Sequence, residues 1–219
     1  MTEPTGECRF RPEDTRASYD RVARLYADEI AGELVSKSYD RDFLDRFAER
    51  VGSGRVIELG CGPGHVAAYL ASRGANVSGL DLSPEIVAQA KRLSPGLDFV
   101  VGDMLALLFA DASLAGVVSF YSIVHFDAEQ MQRAFAQIAR VLAPQGLLAL
   151  AFHVGRDTVH RDEWFGEAVN VDFRSHEPDV IVGQLADAGL VVDSRQERDP
   201  YPPAVEFQSR RCYIVAGRG

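Results

Sequence analysis

The stretch Val56-Ile57-Glu58-Leu59-Gly60-Cys61-Gly62-Pro63-Gly64-His65 decides how this chain is read. Val56, Ile57 and Leu59 form a short apolar run of the kind that makes a strand buried on both faces. A glycine-rich turn follows, and helical texture takes over at Gly64–Arg73. Glycine in such a turn lets the backbone adopt positive φ and approach a ligand closely. In open α/β sheets ligands sit outside the carboxyl ends of the strands, so this turn faces a candidate crevice. A dinucleotide fingerprint would read GxGxxG, with a pyrophosphate on the helix N-terminus. Here Gly60, Gly62 and Gly64 alternate instead, and His65 stands where the third fingerprint glycine would be. Glu58 would repel a pyrophosphate but suits a ligand carrying an ammonium or sulfonium group. The turn favours a cationic ligand over a phosphate.

Outward from that turn, strand and helix patterns alternate. Apolar runs predict strands at Arg55–Leu59, Asn76–Leu82, Leu97–Gly102, Leu114–Ser122 and Gly146–His153. Helical spacing predicts Gly64–Arg73, Pro84–Leu93 and Asp127–Leu142, with Asp127 as N-cap and Gln130 close to a capping box. A later helix at Val180–Ala188 precedes strands near Leu190–Ser194 and Val205–Ala216. This alternation predicts an α/β fold, a doubly wound, mostly parallel sheet with helices on both faces. Two helices before the sheet, one from Ser18 and one at Tyr39–Arg50, predict an N-terminal helical cap over residues 18–51.

The 219 residues carry 23 basic and 32 acidic side chains, a net charge of −9. At about 150 residues per domain this length predicts a single domain over 18–219, preceded by a flexible polar tail at 1–17. The acidic balance argues against a nucleic-acid partner, which needs basic surface. No apolar run approaches the ~20 residues that span a bilayer, and the charged N-terminus lacks the apolar segment of a signal peptide, so a cytoplasmic protein without a membrane partner is expected. Cys8, Cys61 and Cys212 are odd in number and widely spaced, which fits neither a disulfide framework nor a zinc site.

Two further strand ends carry chemistry. In Gly79-Leu80-Asp81-Leu82-Ser83-Pro84, Asp81 ends a strand 21 residues beyond Gly60, where a carboxylate can accept hydrogen bonds from both hydroxyls of a ribose. In Val101-Gly102-Asp103-Met104, Asp103 can accept from an adenine amino group while Met104 packs near the ring. Each of the three strand ends offers what one part of an adenosyl ligand needs.

These residues, with the turn Val141-Leu142-Ala143-Pro144-Gln145-Gly146, resemble the class I S-adenosylmethionine-dependent methyltransferases, in particular small bacterial members with a helical cap before the sheet. The resemblance runs from about Tyr19 to the C-terminus. It implies S-adenosyl-L-methionine as cofactor and a Rossmann-like sheet of seven strands, ordered 3-2-1-4-5-7-6 with the last strand antiparallel. It further implies that Gly60, Cys61 and Gly62 pass the methionine moiety and that Asp81 binds ribose. Leu82, Gly102, Asp103 and Met104 would border adenine, and Phe120 and Tyr121 would meet the methionine amino group. A tyrosine of the first helix, Tyr19 or Tyr26, would close over the cofactor. Cys61 reads as a small residue that tolerates tight packing.

His125 is the candidate general base, because histidine titrates near neutrality and the position overlooks the crevice; a helix-start histidine bonded to backbone is the alternative. His153, His160 and His176 match no ligand spacing, so no metal is expected. The stretch 154–178 reads as a substrate-side loop whose Trp164 lines the acceptor pocket, and Arg210-Arg211 as a solvent-facing pair. The expected activity is methyl transfer to an O or N atom of a small-molecule acceptor by in-line displacement. An adenosyl-binding module without transfer, or an NAD-dependent oxidoreductase, are the alternatives. Oligomeric state is open.

Overall fold

The computed structural model describes residues 11–218. Helix α1 spans Pro12–Ile30, with proline in its first turn, where a missing N–H costs nothing, and Glu13 and Asp14 beside the positive end of the helix dipole. The tail expected over 1–17 is therefore corrected for 11–17: Thr15 is already buried, as is Ser18 just beyond. Residues 1–10 of that expectation lie outside the described residues. A 3-10 turn at Glu33–Ser36 leads into α2, Ser38–Val51, which turns Phe43, Leu44 and Phe47 inward.

The sheet then builds as β1 (Arg55–Leu59), α3 (His65–Ser72), β2 (Asn76–Asp81), α4 (Pro84–Leu93), β3 (Phe99–Val101), β4 (Leu114–Phe120), α5 (Ala128–Val141) and β5 (Leu142–His153). β1 is buried after its first residue and β4 along nearly its whole length, the pattern of strands covered on both faces. The Asp127 carboxylate accepts from the Gln130 N–H at 2.9 Å and the Gln130 side chain accepts from the Asp127 N–H at 3.1 Å, a complete capping box for α5. β5 begins at Leu142, ahead of the expected turn, and the Ala143–Gly146 segment appears instead as a register shift against β4.

The expected loop at 154–178 is instead a β-hairpin. β6 (Thr158–Trp164) pairs antiparallel with β7 (Glu167–Arg174) around Phe165 and Gly166, both at positive φ, as a tight primed turn requires. Helix α6 (Pro178–Asp187), β8 (Leu190–Arg198) and β9 (Arg211–Arg218) complete the chain. β8 runs past the expected Ser194, whereas β9 starts six residues later than the expected Val205, because 201–209 is a run of turns.

Seven strands form one sheet in the order β3-β2-β1-β4-β5-β9-β8, and the hairpin is a separate two-stranded sheet. β9 runs antiparallel to both β5 and β8. Counted within the large sheet alone, this is the expected 3-2-1-4-5-7-6. One apolar cluster joins α5 and α6 to the sheet through Phe135, Ile138, Ile181 and Leu185. A second joins α2, α3 and α4 through Phe47, Leu70 and Val87. Helix α1 packs on α4 and on β7, so it crosses the carboxyl end of the sheet with the hairpin laid against it.

Candidate active site

The parallel strands deliver their carboxyl ends side by side, and a cleft of about 910 Å3 (its open mouth included) runs across them. It is lined by Tyr19 and Tyr26 of α1, Glu58, Gly60, Cys61 and Gly62 after β1, and Asp81 and Leu82 after β2. Gly102, Asp103 and Met104 after β3 and Phe120, Tyr121 and His125 after β4 complete the set named from sequence.

Glycine is required where β1 ends. Gly60 sits at φ +64°, and a Cβ there would lie 2.4 Å from Cβ of Ser122, so the ends of β1 and β4 approach only because the side chain is absent. Gly62, at φ +54°, presents its face to Tyr26 and Ile30 at 3.7 and 3.8 Å from where a Cβ would stand. Its N–H donates to Oδ2 of Asp81 at 3.0 Å, while Oδ1 of Asp81 accepts from the Ser83 N–H at 3.0 Å. One carboxylate thus ties two strand-end turns together, with lone pairs left on both oxygens. Burial raises the Asp81 pKa to about 6, only partly offset by those backbone donors.

Glu58 is buried, and its Oε2 accepts from the Ala67 N–H at 2.8 Å, capping the first turn of α3. Burial pushes its pKa well up, and the Asp81 and Glu33 charges add to that. Asp103 accepts from the Leu105 N–H at 2.8 Å, holding the turn after β3. Burial also pushes the Cys61 thiol up, which keeps it protonated and unreactive.

His125 bridges cleft and hairpin. Its Nδ1 lies 2.6 Å from the Asp172 carbonyl oxygen on β7, so Nδ1 carries the proton and donates. Nε2 is then an acceptor, and Tyr19 Oη–H donates to it at 3.1 Å. Burial lowers the His125 pKa to about 4, against the pull of the Asp172 carbonyl.

Tyr19, Tyr26 and Trp164 meet edge to face, with ring centroids 5.3 to 5.5 Å apart. Trp164 packs behind the tyrosines and is not among the cleft-lining residues, which corrects its expected role in lining an acceptor pocket. Tyr121 is corrected in part. At φ +54° its backbone turns in the left-handed region. Its hydroxyl pairs with Tyr213 at 2.8 Å and Asp40 at 3.2 Å, so it offers the cleft its ring. Arg211 is also corrected: it is 2% exposed, whereas Arg210 is exposed and pairs with Glu197.

Sequence reasoning missed Ile30, Glu33, His65, Ser122 and Phe126 as lining residues. Glu33 Oε1 pairs with His65 Nε2 at 2.8 Å and Oε2 with Lys37 Nζ at 2.6 Å. Burial opposes ionisation of Glu33, but the bonds from His65 and Lys37 win and hold its pKa at about 2. The pairing joins the 3-10 turn to the start of α3, and no local motif announces it. Among the described residues no group of three or more His, Cys, Asp or Glu is arranged to hold a metal ion, and no helix is long and apolar enough to cross a membrane.

Residues 56–146 match a family described as a methyltransferase domain. A demethylmenaquinone methyltransferase of Beutenbergia cavernae is 35% identical over 147 residues, covering 64% of this chain and 58% of that protein. An S-adenosyl-L-methionine-dependent Diels-Alderase of Talaromyces variabilis is 32% identical over 183 residues, 74% of this chain and 60% of that protein. The chain therefore spans less than two thirds of the length of these curated relatives. Among solved structures, a TehB-like methyltransferase of Corynebacterium glutamicum superposes with a TM-score of 0.68 at 20% identity, over 93% of this chain and 100% of that one. Residues 56–146 thus match a methyltransferase domain, and the sheet order and strand-end motifs agree with the resemblance to class I S-adenosylmethionine-dependent methyltransferases.

Proposed function

We propose that this protein transfers a methyl group from S-adenosylmethionine to an O or N atom of a small-molecule acceptor, by in-line displacement, in the cytoplasm. The observation that carries the reading is the meeting of three strand-end motifs in one cleft, joined by the Asp81–Gly62 hydrogen bond. When bound, the cofactor supplies a methyl carbon already made electrophilic by its sulfonium. The residues present suit it: Asp81 keeps acceptor capacity for ribose hydroxyls, and Leu82, Gly102, Asp103 and Met104 border an adenine. Gly60, Cys61 and Gly62 give the amino-acid end close backbone approach, with the ionised Glu33 as nearby negative charge. Phe120 and Tyr121 bound that end from β4.

For such a displacement the protein's contribution is positioning and exclusion of water. Tyr19 and Tyr26, backed by Trp164, cover the cleft from α1. His125 accepts at Nε2 the proton that a hydroxyl acceptor must shed; an amine acceptor can lose its proton to solvent. With a hydroxyl acceptor, His125→Ala is expected to lower kcat by roughly 10²- to 10⁴-fold with affinity for S-adenosylhomocysteine unchanged. Since His125 is neutral above a pKa of about 4, the wild-type rate should be level through neutrality and fall only as the pH nears that value. Full kcat in His125→Ala with a hydroxyl acceptor would remove this role.

A second reading is favoured by one observation, the similarity to the Diels-Alderase: cofactor binding without methyl transfer. It predicts saturable binding of S-adenosylmethionine with no release of S-adenosylhomocysteine for any acceptor.

A further inference from the structure

The turn that carries Asp81 is held from two sides. From within the sheet, the Gly62 N–H donates to Oδ2 of Asp81 and the Ser83 N–H to Oδ1, at 3.0 Å each. From outside it, α1 takes hold through Asp20. Ser83 is 1% exposed, and its hydroxyl donates to Oδ1 of Asp20 at 2.5 Å while accepting from the Ile86 N–H at 3.1 Å. The Glu85 N–H also reaches that Asp20 oxygen, at 3.4 Å. A hydroxyl bonded to a carboxylate is among the stronger hydrogen bonds. The ion pair between α1 and α4, Asp28 with Arg92 at 3.9 Å, is more than half exposed at both ends and contributes little.

Successive residues of a helix point about 100° apart, so Asp20 meets the turn after β2 while its neighbour Tyr19 lines the cleft, as Tyr26 does further along α1. The bond that seats Asp20 therefore sets how the two rings lie over the cleft. Asp20 also acts on Asp81 by charge, its carboxylate adding to the effect of burial on that group. The other titratable groups near Asp81 are Tyr19 and Tyr26 on α1, Glu58 on β1 and Cys61 in the turn after it; burial favours the uncharged form of each. Glu33 is paired with His65 and Lys37, and Asp103 faces the cleft from the end of β3. Arg16 lies 3.7 Å from Asp20 but is 54% exposed, so solvent screens it and the Asp20 charge persists.

Resting on the reading of Asp81 as the acceptor for the cofactor's ribose, we infer that Asp20 is a positioning residue for the cofactor: through Ser83 it ties α1, with Tyr19 and Tyr26, to the turn that carries Asp81. Seating of the ribose and closing of α1 over the cleft then favour each other by the same factor, as linkage requires. Asp20 itself touches no ligand; it acts through Ser83 and through its charge.

The test titrates the full chain with S-adenosylhomocysteine by calorimetry, across the pH range around the Asp81 pKa of about 6, and follows amide hydrogen exchange in α1 with and without the ligand. Asp20→Ala, which removes the acceptor for Ser83, is expected to bind about tenfold more weakly and to lose the slowing of α1 exchange that the ligand gives wild type. Asp20→Asn keeps an oxygen for Ser83 but not the charge. It should recover most of the affinity at the alkaline end, while its acid-side fall in affinity moves to lower pH, because removing a like charge eases ionisation of Asp81. Asp28→Asn, on the exposed pair, should match wild type throughout. Asp20→Ala with wild-type affinity and wild-type slowing of exchange, even at a lowered Tm, marks a merely structural contact and overturns the inference alone. So does an Asp20→Asn pH profile that coincides with wild type, and that profile decides if Asp20→Ala does not fold. Failure of wild type to bind S-adenosylhomocysteine, or undiminished binding by Asp81→Ala, overturns the ribose reading, and this inference with it.

Discussion

Asp81→Ala is expected to abolish the stabilisation that S-adenosylhomocysteine gives the wild-type protein in a thermal melt. At 100-fold above Kd a ligand adds about 2.7 kcal/mol, which for a chain of this size raises Tm by roughly 5–11 °C. Asp81 touches both sides of the problem. It accepts the Gly62 and Ser83 N–H groups at 3.0 Å each, and so sets the two turns. Its remaining lone pairs face the cleft, where hydrogen bonds to a charged acceptor contribute about 1.5–3 kcal/mol each. Loss of two such bonds weakens binding on the order of a hundredfold or more. The pH dependence has a definite sign. Ligand donors favour the ionised carboxylate, and burial holds its pKa at about 6 in the free protein. Affinity is therefore full above that pH and declines as pH falls through it, by up to about tenfold per pH unit. Calorimetry across this range checks it; a pH-independent Kd, or an unchanged Tm shift in Asp81→Ala, would contradict the role given to Asp81.

Arg198→Met should be the most damaging single change away from the cleft. Asp40, fully buried, accepts from Arg198 at 3.0 Å and from Tyr213 at 3.0 Å. The same guanidinium holds Glu206 at 2.6 Å and donates from Nε to Tyr213 Oη at 2.9 Å. One cation thus ties the start of α2 to β8, β9 and the turns at 201–209. Its removal leaves two buried carboxylates short of a partner, a defect that costs about 3–5 kcal/mol and lowers Tm by roughly 6–20 °C. Adding Asp40→Asn and Glu206→Gln to Arg198→Met should recover part of that loss, since the uncompensated charge goes too. For Glu206, burial raises the pKa, but the bonds from Arg198 and from the Tyr201 N–H outweigh it and hold the value low. Its contribution is present above the unfolded pKa of about 4.3 and is lost as pH falls toward the folded value. Wild type should therefore lose more stability on acidification than Arg198→Met. An Arg198→Met protein melting within about 2 °C of wild type would show that the cluster is not what joins these elements.

The parts of the fold legible from sequence are those whose signals are local. The β1 run and its glycines, the Asp127 cap and the apolar runs of the central strands each announce themselves within a few residues. The hairpin was not legible, because Phe165-Gly166 lacks the usual Asn-Gly or Asp-Gly signature and β6 is exposed almost throughout. Its outcome depends on packing against α1, where Val169 and Val171 meet Val22 across a long sequence separation. Pro12 hid the true start of α1 by reading as punctuation, when it occupies the one helical position proline favours. The candidate site divides in the same way. Strand-end residues were found because β-strand ends are ligand positions in this architecture. Glu33, Arg211 and the turned hydroxyl of Tyr121 were not found: their partners lie on other elements, and a buried ion pair leaves no trace in local spacing.

The central claim, that the cleft across the strand ends binds an adenosyl sulfonium ligand, is tested most directly by calorimetric titration of the purified protein with S-adenosylhomocysteine and, separately, with NAD. The account predicts one saturable site for S-adenosylhomocysteine, lost in Asp81→Ala, and no measurable heat with NAD. Saturation by NAD, with none by S-adenosylhomocysteine, would mean that the turn Gly60-Cys61-Gly62 takes a pyrophosphate after all, and would contradict the account at its root.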